Sequence, residues 1–345
     1  MFYARQRTKS NDNVGFYAPV RGIAGEMINI KLEDQLRGAI RLKHFSIKTE
    51  ETYVGWYRRF VLWHGKRHPQ EMGAAEVEAF LTHLAVNRGV AAVSQNQALN
   101  ALIFLYREVL KRELAGIDAK RAKHSPRLPI VLTTGEIGGL LKGVKGEAGL
   151  VCKLIYGCGL RLAEALRLRV KDVDMAGGKV EVRGGKGDKD RVIPLPKSLA
   201  QPLAEHRGRV EQIHAADRKA GLAGVHLPHA LETKHRAAGE SWPWFWMFPS
   251  MSLSDDPRAG VVRRHHLHEA GISRELARAA KMAGLEKRVT AHSLRHSYAT
   301  HLLLRGVDIR SIQGLLGHAD VRTTEIYTQL ARAMRGEITS PLDDL

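Results

Sequence analysis

The chain has 345 residues, too many for one ordinary globular domain and suited to two, and its 44% apolar content is enough to bury a core in each. Lys and Arg number 54 against 36 Asp and Glu, a formal charge of +18 with pI near 10.0, which excludes an acidic surface and fits a polyanionic partner, although a merely basic soluble protein would share that balance. Two cysteines, Cys152 and Cys158, exclude a disulfide framework and a Cys-based zinc site, and the absence of a long apolar run or signal-peptide core leaves no expected membrane span or secretion and points to the cytosol.

Residues 1–28 show no clear periodicity and read as an N-terminal extension: sequence upstream of the natural start, a DNA-touching arm or a disordered arm. From Asn29 to residue 117 the pattern is helical, with a first helix near Leu32 to Leu42. Tyr53, Trp56, Tyr57 and Phe60 follow Ser46, a candidate N-cap; Val77, Phe80, Leu81 and Leu84 form a second stripe; Ala98, Leu102, Leu105 and Val109 form a third after Ser94, a further candidate N-cap. The aromatic stripe reads as core at this spacing, and the basic residues beside it, Lys43, Lys48, Arg58 and Arg59, as candidate phosphate contacts or solvated surface. Residues 118–130 are polar, basic and proline-containing, as expected of an interdomain linker.

From residue 131 to 345 the pattern is mixed. Thr133 or Thr134 with Glu136 marks a helix start, Leu150 to Tyr156 is an apolar helix, and Lys179–Arg183 with Asp190–Leu195 flank a Gly-rich turn as a β-hairpin. Helices resume near Lys197 and run to the end, interrupted by an aromatic-rich insertion over roughly residues 222–250. The fold class expected is mainly α with a small β-hairpin or sheet in the second domain.

Three stretches carry chemistry, each weak alone. In Gly157-Cys-Gly-Leu-Arg161-Leu-Ala-Glu164 a glycine turn delivers Arg161 to a helix start, where a guanidinium can fork two phosphate oxygens. In Gly184-Gly-Lys186-Gly-Asp-Lys-Asp-Arg191 a lysine sits on a flexible tip as a donor or general acid; it lacks the spacing and following Ser or Thr of a triphosphate-binding loop. In His292-Ser-Leu-Arg295-His296 positions 292 and 295 share a helix face; Leu-Gly317-His318-Ala-Asp ends one helix and Thr-Glu-Ile-Tyr327 begins another. His292 and His296 have half the spacing of a metal site, but no Glu follows the first and no third ligand is evident, so no metal is expected.

Those blocks in that order resemble the tyrosine recombinase family. The resemblance rests on six residues between positions 161 and 327, and implies Arg161, Lys186, His292, Arg295, His318 and Tyr327 as catalytic residues, with no departure at any of them. It further implies a two-domain, C-shaped clamp around DNA with a helical core-binding domain over residues 29–117 and a catalytic domain over 131–345, and four protomers on two DNA sites. Tyr327 would attack the backbone phosphate, Lys186 would protonate the leaving 5′-oxygen, and no cofactor, metal or ATP would be needed. With an unperturbed pKa near 10 the phenol needs the positive groups and a neighbouring histidine to ionise.

Within the insertion, Leu227-Pro-His-Ala-Leu-Glu-Thr-Lys, Trp242, Trp244, Trp246, Asp256-Pro257-Arg258 and Arg263-Arg-His265-His266 are similar to the integron integrases, which implies capture and excision of gene cassettes between a duplex site and a folded single-stranded one. Pro257 and His265 are then candidates for an extrahelical-base pocket with His266 beside them, while the three Trp would equally serve as a local core. The competing expectations are a duplex-only recombinase of phage or chromosome-dimer type, a catalytically silent DNA-binding protein, and a type IB topoisomerase. A bacterial cytoplasmic, nucleoid-associated protein is implied.

Overall fold

A computed structural model describes residues 15–21, 27–117, 122, 128–183, 190–228, 231–257 and 259–335, which fall into two compact units, Met1–Pro126 and Arg127–Leu345. The first unit opens with an antiparallel pair, β1 (Tyr17–Arg21) and β2 (Met27–Lys31), in which Tyr17 faces Lys31 and Arg21 faces Met27. This corrects the expectation of an unpatterned extension to residue 28: a boundary there would cut β2. One five-residue segment containing Pro19 has too little alternation to reveal a strand, because the partner's hydrogen bonds define it. Residues 1–14 lie outside the described part.

Four α-helices follow. They are α1 (Leu32–Leu42), α2 (Ile47–Trp63), α3 (Ala74–Thr82) and α4 (Ala92–Phe104), with π-helical turns at His83–Asn87 and Leu105–Val109 extending the last two. Ser46 caps α2 by accepting from the Thr49 amide at 3.1 Å. Ser94 does not cap α4: the helix starts at Ala92 with Ala91 extended before it, and Ser94 is already in its first turn. Leu36, Ile40, Tyr57, Phe60, Phe80, Leu102 and Tyr106 form the buried core, so the aromatic stripe is packing.

The second unit is mainly helical around small sheets. Helix α5 (Thr134–Gly143) starts at a capping box in which Thr133 and Glu136 bond each other's backbone, and α6 (Gly146–Cys158) is the apolar helix, with Leu154 and Ile155 fully buried. After α7 (Leu162–Arg167) come β3 (Val173–Asp174), β4 (Lys179–Val182) and β5 (Arg191–Pro194), antiparallel in that order. Val180, Val182 and Ile193 point into the core, and β3, too short to show alternation, turns the expected hairpin into a three-stranded sheet. The tip over residues 184–189 is outside the described part.

Beyond α8 (Lys197–Lys219) and the short α9 (Leu231–Lys234), strands β6 (Pro249–Asp256) and β7 (Val261–His266) form a second hairpin where helix was expected. The alternation Ser-Met-Ser-Leu-Ser over 250–254 is the signal of that strand, and both its apolar members are exposed, so it does not read as a buried stripe. The chain ends in α10 (Glu269–Met282), α11 (Ala291–Leu304), α12 (Ile309–Leu316) and α13 (Arg322–Met334). Helix α11 starts at a Thr290–Ser293 capping box and runs against α6, which sets its face with Arg295 over the end of α6.

Candidate active site

The site assembles where three chain ends meet: the end of α6, the start of α7 and the end of α12. Gly159 closes α6 at φ 63°, a left-handed conformation in which any Cβ would come within 2.5 Å of the Tyr298 ring. The chain then reverses, and Arg161 becomes the N-cap of α7. Glu164 accepts the Arg161 amide at 2.8 Å and its guanidinium at 2.7 Å.

Glu164 is the hub of the positive cluster. It also accepts two hydrogen bonds from Arg191, at 2.6 and 3.1 Å, and lies 3.7 Å from Arg295. Burial alone would raise its carboxyl, but the bonds from Arg191 and Arg161 outweigh that and hold it at about 2. Three guanidinium groups thus share one carboxylate. The surplus positive charge suits a phosphodiester.

Arg295 is 3% exposed and donates to the Gly159 carbonyl at 2.7 Å and to the Leu316 carbonyl at 2.6 Å, tying the ends of α6 and α12 together. Burial lowers it to about 10, still charged at neutral pH. Arg161 reaches the Gly317 carbonyl at 3.4 Å. Gly317 ends α12 at φ 64° and turns the chain so that His318 faces the cluster, its Nδ1 2.9 Å from the Thr324 hydroxyl. Burial, then the charges of Arg295 and Arg161, lower His318 to about 4.

Tyr327, on α13, is 2% exposed, and its ring lies face-on to His318 with centroids 6.4 Å apart. Its hydroxyl is 2.8 Å from Nδ1 of His296. Burial raises the phenol's pKa, against the opposing pull of Arg295 and Arg161. His296 is lowered to about 4 by burial and by His292 and Arg295, and is therefore neutral. His292, one turn before His296, has its ring 6.1 Å away.

Of the residues expected from sequence, Arg161, His292, Arg295, His318 and Tyr327 converge here, while Lys186 lies outside the described residues. From sequence Glu164, Arg191 and Thr324 carry no assigned role, and His296 figures only as half of a metal site. A signal existed for Glu164, three residues after Arg161 as in a capping box; that Arg191 and His296 point inward is set by packing.

The other expected contacts lie apart from this cluster. In the first unit Arg58 is held by Glu33 through two bonds of 2.7 Å, Arg59 covers the Trp56 ring at 4.6 Å, Lys43 lies 3.7 Å from Glu108, and Lys48 is exposed. Arg58 is thus paired with Glu33 while its side chain stays 42% exposed. In the second unit Pro257 is exposed at the β6–β7 turn, and the rings of His265, tilted, and His266, edge-on, lie 5.3 and 5.1 Å from that of Trp246. Trp246 and Trp242 pack with Val170, Val210, Val225 and Phe245 as a local core. Trp244 does not join that core: it lines a cavity of about 600 Å³ with Leu231, His235, Ala237 and Ala238, and the Lys171 ammonium sits 2.9 Å from its ring centre. Among the described residues there is no cluster of three or more metal-ligating side chains, and no helix long and apolar enough to cross a membrane.

Residues 132–334 match the model of the phage integrase family, and residues 32–116 that of the phage integrase N-terminal SAM-like domain. An integrase/recombinase of Escherichia coli is 48% identical over 318 residues, covering 92% of this chain and 94% of the relative; tyrosine recombinase XerA of Thermococcus kodakarensis is 34% identical over 288 residues, 82% and 84% respectively. Among solved structures, XerH site-specific recombinase bound to its palindromic difH substrate aligns with TM-score 0.59 at 21% identity over 90% of this chain and 85% of that one, and a lambda integrase dimer bound to a COC′ core site with TM-score 0.56 at 18% identity over 86% and 93%. The chain therefore belongs to the phage integrase family and is a site-specific tyrosine recombinase.

Proposed function

We propose that the enzyme cleaves and rejoins DNA through a 3′-phosphotyrosyl intermediate on Tyr327, and that it is of the integron type, moving gene cassettes between a duplex site and a folded single-stranded site. The observation that carries the chemistry is the convergence of Arg161, Arg295, His318 and Tyr327 on one cluster with surplus positive charge. Arg161 and Arg295 hold the non-bridging oxygens, where charge grows as the tyrosine oxygen attacks, and His292 and His318 donate to the same oxygens. Lys186 protonates the departing 5′-oxygen. The covalent bond retains the energy of the broken one, so rejoining needs no ATP. The enzyme works as a homotetramer on DNA in the bacterial cytoplasm.

The insertion supports the choice of substrate. Trp244 presents a half-buried aromatic face beside a cavity, with a lysine over it, and His265 and Pro257 are exposed nearby in sequence on the β6–β7 hairpin; these are stacking and anion-holding groups of the kind that grip unpaired bases.

A duplex nicked near the cut site traps the intermediate. A covalent adduct at the 3′ side that disappears in Tyr327→Phe without loss of binding is expected, and an adduct that persists in that variant refutes the chemistry. Affinity for each folded strand of a cassette-end site, compared with its duplex, tests the substrate. Equal affinity for all three forms would refute the integron reading and favour a recombinase that acts on duplex DNA only.

A further inference from the structure

The hydroxyl of Tyr327 has one hydrogen-bond partner among the described residues, Nδ1 of His296 at 2.8 Å. His296 is one residue beyond Arg295 on α11, and the helix turn aims it at α13 while Arg295 is aimed at the ends of α6 and α12. The other two histidines of the site are placed differently. His318 meets the phenol ring face-on and spends its Nδ1 on Thr324; His292 lies behind His296, ring to ring.

We propose that His296 is a catalytic residue: it holds the Tyr327 hydroxyl and accepts its proton as the tyrosine oxygen bonds to phosphorus. This rests on Tyr327 being the nucleophile. A neutral imidazole carries a single ring proton. With that proton on Nε2, the lone pair of Nδ1 faces the phenol, and the O–H donates to it. In the forward step the Tyr327 oxygen bonds to phosphorus, its proton passes to Nδ1, and the bond from phosphorus to the 5′-oxygen breaks, that oxygen taking a proton from Lys186 or water. On rejoining, the imidazolium returns the proton to the tyrosine oxygen as the phosphotyrosyl bond breaks. The surroundings suit the role: burial and the charges of His292 and Arg295 keep the ring unprotonated at neutral pH, so the acceptor is always available. They also make it a weak base, so proton transfer must accompany bond formation rather than precede it.

The test is the single-turnover rate of adduct formation on the nicked duplex. His296→Asn leaves a polar group near the position of Nδ1 that cannot take up a proton, and should slow the adduct by about 10²-fold, the usual scale for a lost general base. Replacing Tyr327 with a ring-fluorinated tyrosine, whose phenol is more acidic, should restore much of that rate in the Asn variant and change it little in the chain that keeps His296. An unimpaired Asn variant, or a deficit the fluorotyrosine does not reduce, overturns the proposal and leaves His296 a positioning residue at most. Binding of the intact site and the melting temperature separate a lost proton acceptor from a lost fold. The fluorotyrosine measurement with His296 in place gives a second reading that involves no change at 296: a steep gain in rate there means no effective acceptor was present, which also refutes the role. If the unsubstituted enzyme forms no adduct at Tyr327, the nucleophile assignment itself fails.

Discussion

Replacing Glu164 by Gln tests the electrostatic account of the site. The carboxylate accepts from Arg161 and Arg191 and stands 3.7 Å from Arg295, and its side chain is 10% exposed, so solvent does little of the compensating. Depression from the ordinary 4.5 to about 2 corresponds to about 3 kcal/mol at ~1.4 kcal/mol per unit, the same scale as removing one partner of a buried ion pair. For a unit of this size the loss should lower the melting temperature by roughly 6–12 °C. Because the folded-state value is depressed, the stabilisation is fully present above the unfolded value and is lost as pH falls toward about 2. The gap between wild type and Glu164→Gln should therefore be constant near neutral pH and close in acid. Paired thermal or denaturant melts at neutral pH and at roughly pH 3 measure it. A Gln variant that melts with the wild type at neutral pH, or a gap that does not narrow in acid, would falsify the hub role of Glu164.

Gly159→Ala combines a left-handed backbone with a Cβ 2.5 Å from Tyr298, and should cost about 2–4 kcal/mol, read as a lowered denaturant midpoint; an unchanged midpoint would show that the turn has more room than the structure gives it. Lys186→Ala should slow cleavage while leaving binding nearly intact, and a substrate with a better 5′ leaving group should partly restore the rate; without that restoration Lys186 is not the acid. Lys43→Ala and Lys48→Ala should each weaken binding to cognate and unrelated duplexes alike, and make the salt dependence of affinity shallower by about 1 unit of slope. A loss confined to the cognate site would show base reading instead.

Much of the fold is legible in local pattern. Helices α2 and α5 announce themselves by a cap, α1 and α6 by their apolar pattern alone, and the β4–β5 hairpin by alternation around glycines. The misses share one physical cause: β1 and β3 are short and the apolar residues of β6 are exposed, so none of them leaves a buried alternating stripe, although each pairs with a strand close by in sequence. Ser94 is not the cap of α4, because two residues of helix, Ala92 and Val93, precede it.

The active site divides the same way. The order and spacing of Arg161, His292, Arg295, His318 and Tyr327 on the chain identified the chemistry, because only a phosphate makes joint sense of that set. What tertiary structure alone decided is how their charges are balanced and which histidine meets the Tyr327 hydroxyl. Glu164 serves Arg191, 27 residues on, and comes within 3.7 Å of Arg295; His296 meets Tyr327 31 residues later, and neither partnership has a period or motif. Two of the three tryptophans in the insertion went to a local core and one to a cavity, a difference their identical residue type could not decide. Sequence carries which groups are present and on which helix face; burial and the field of neighbouring charges, which set their protonation, exist only once the chain is packed.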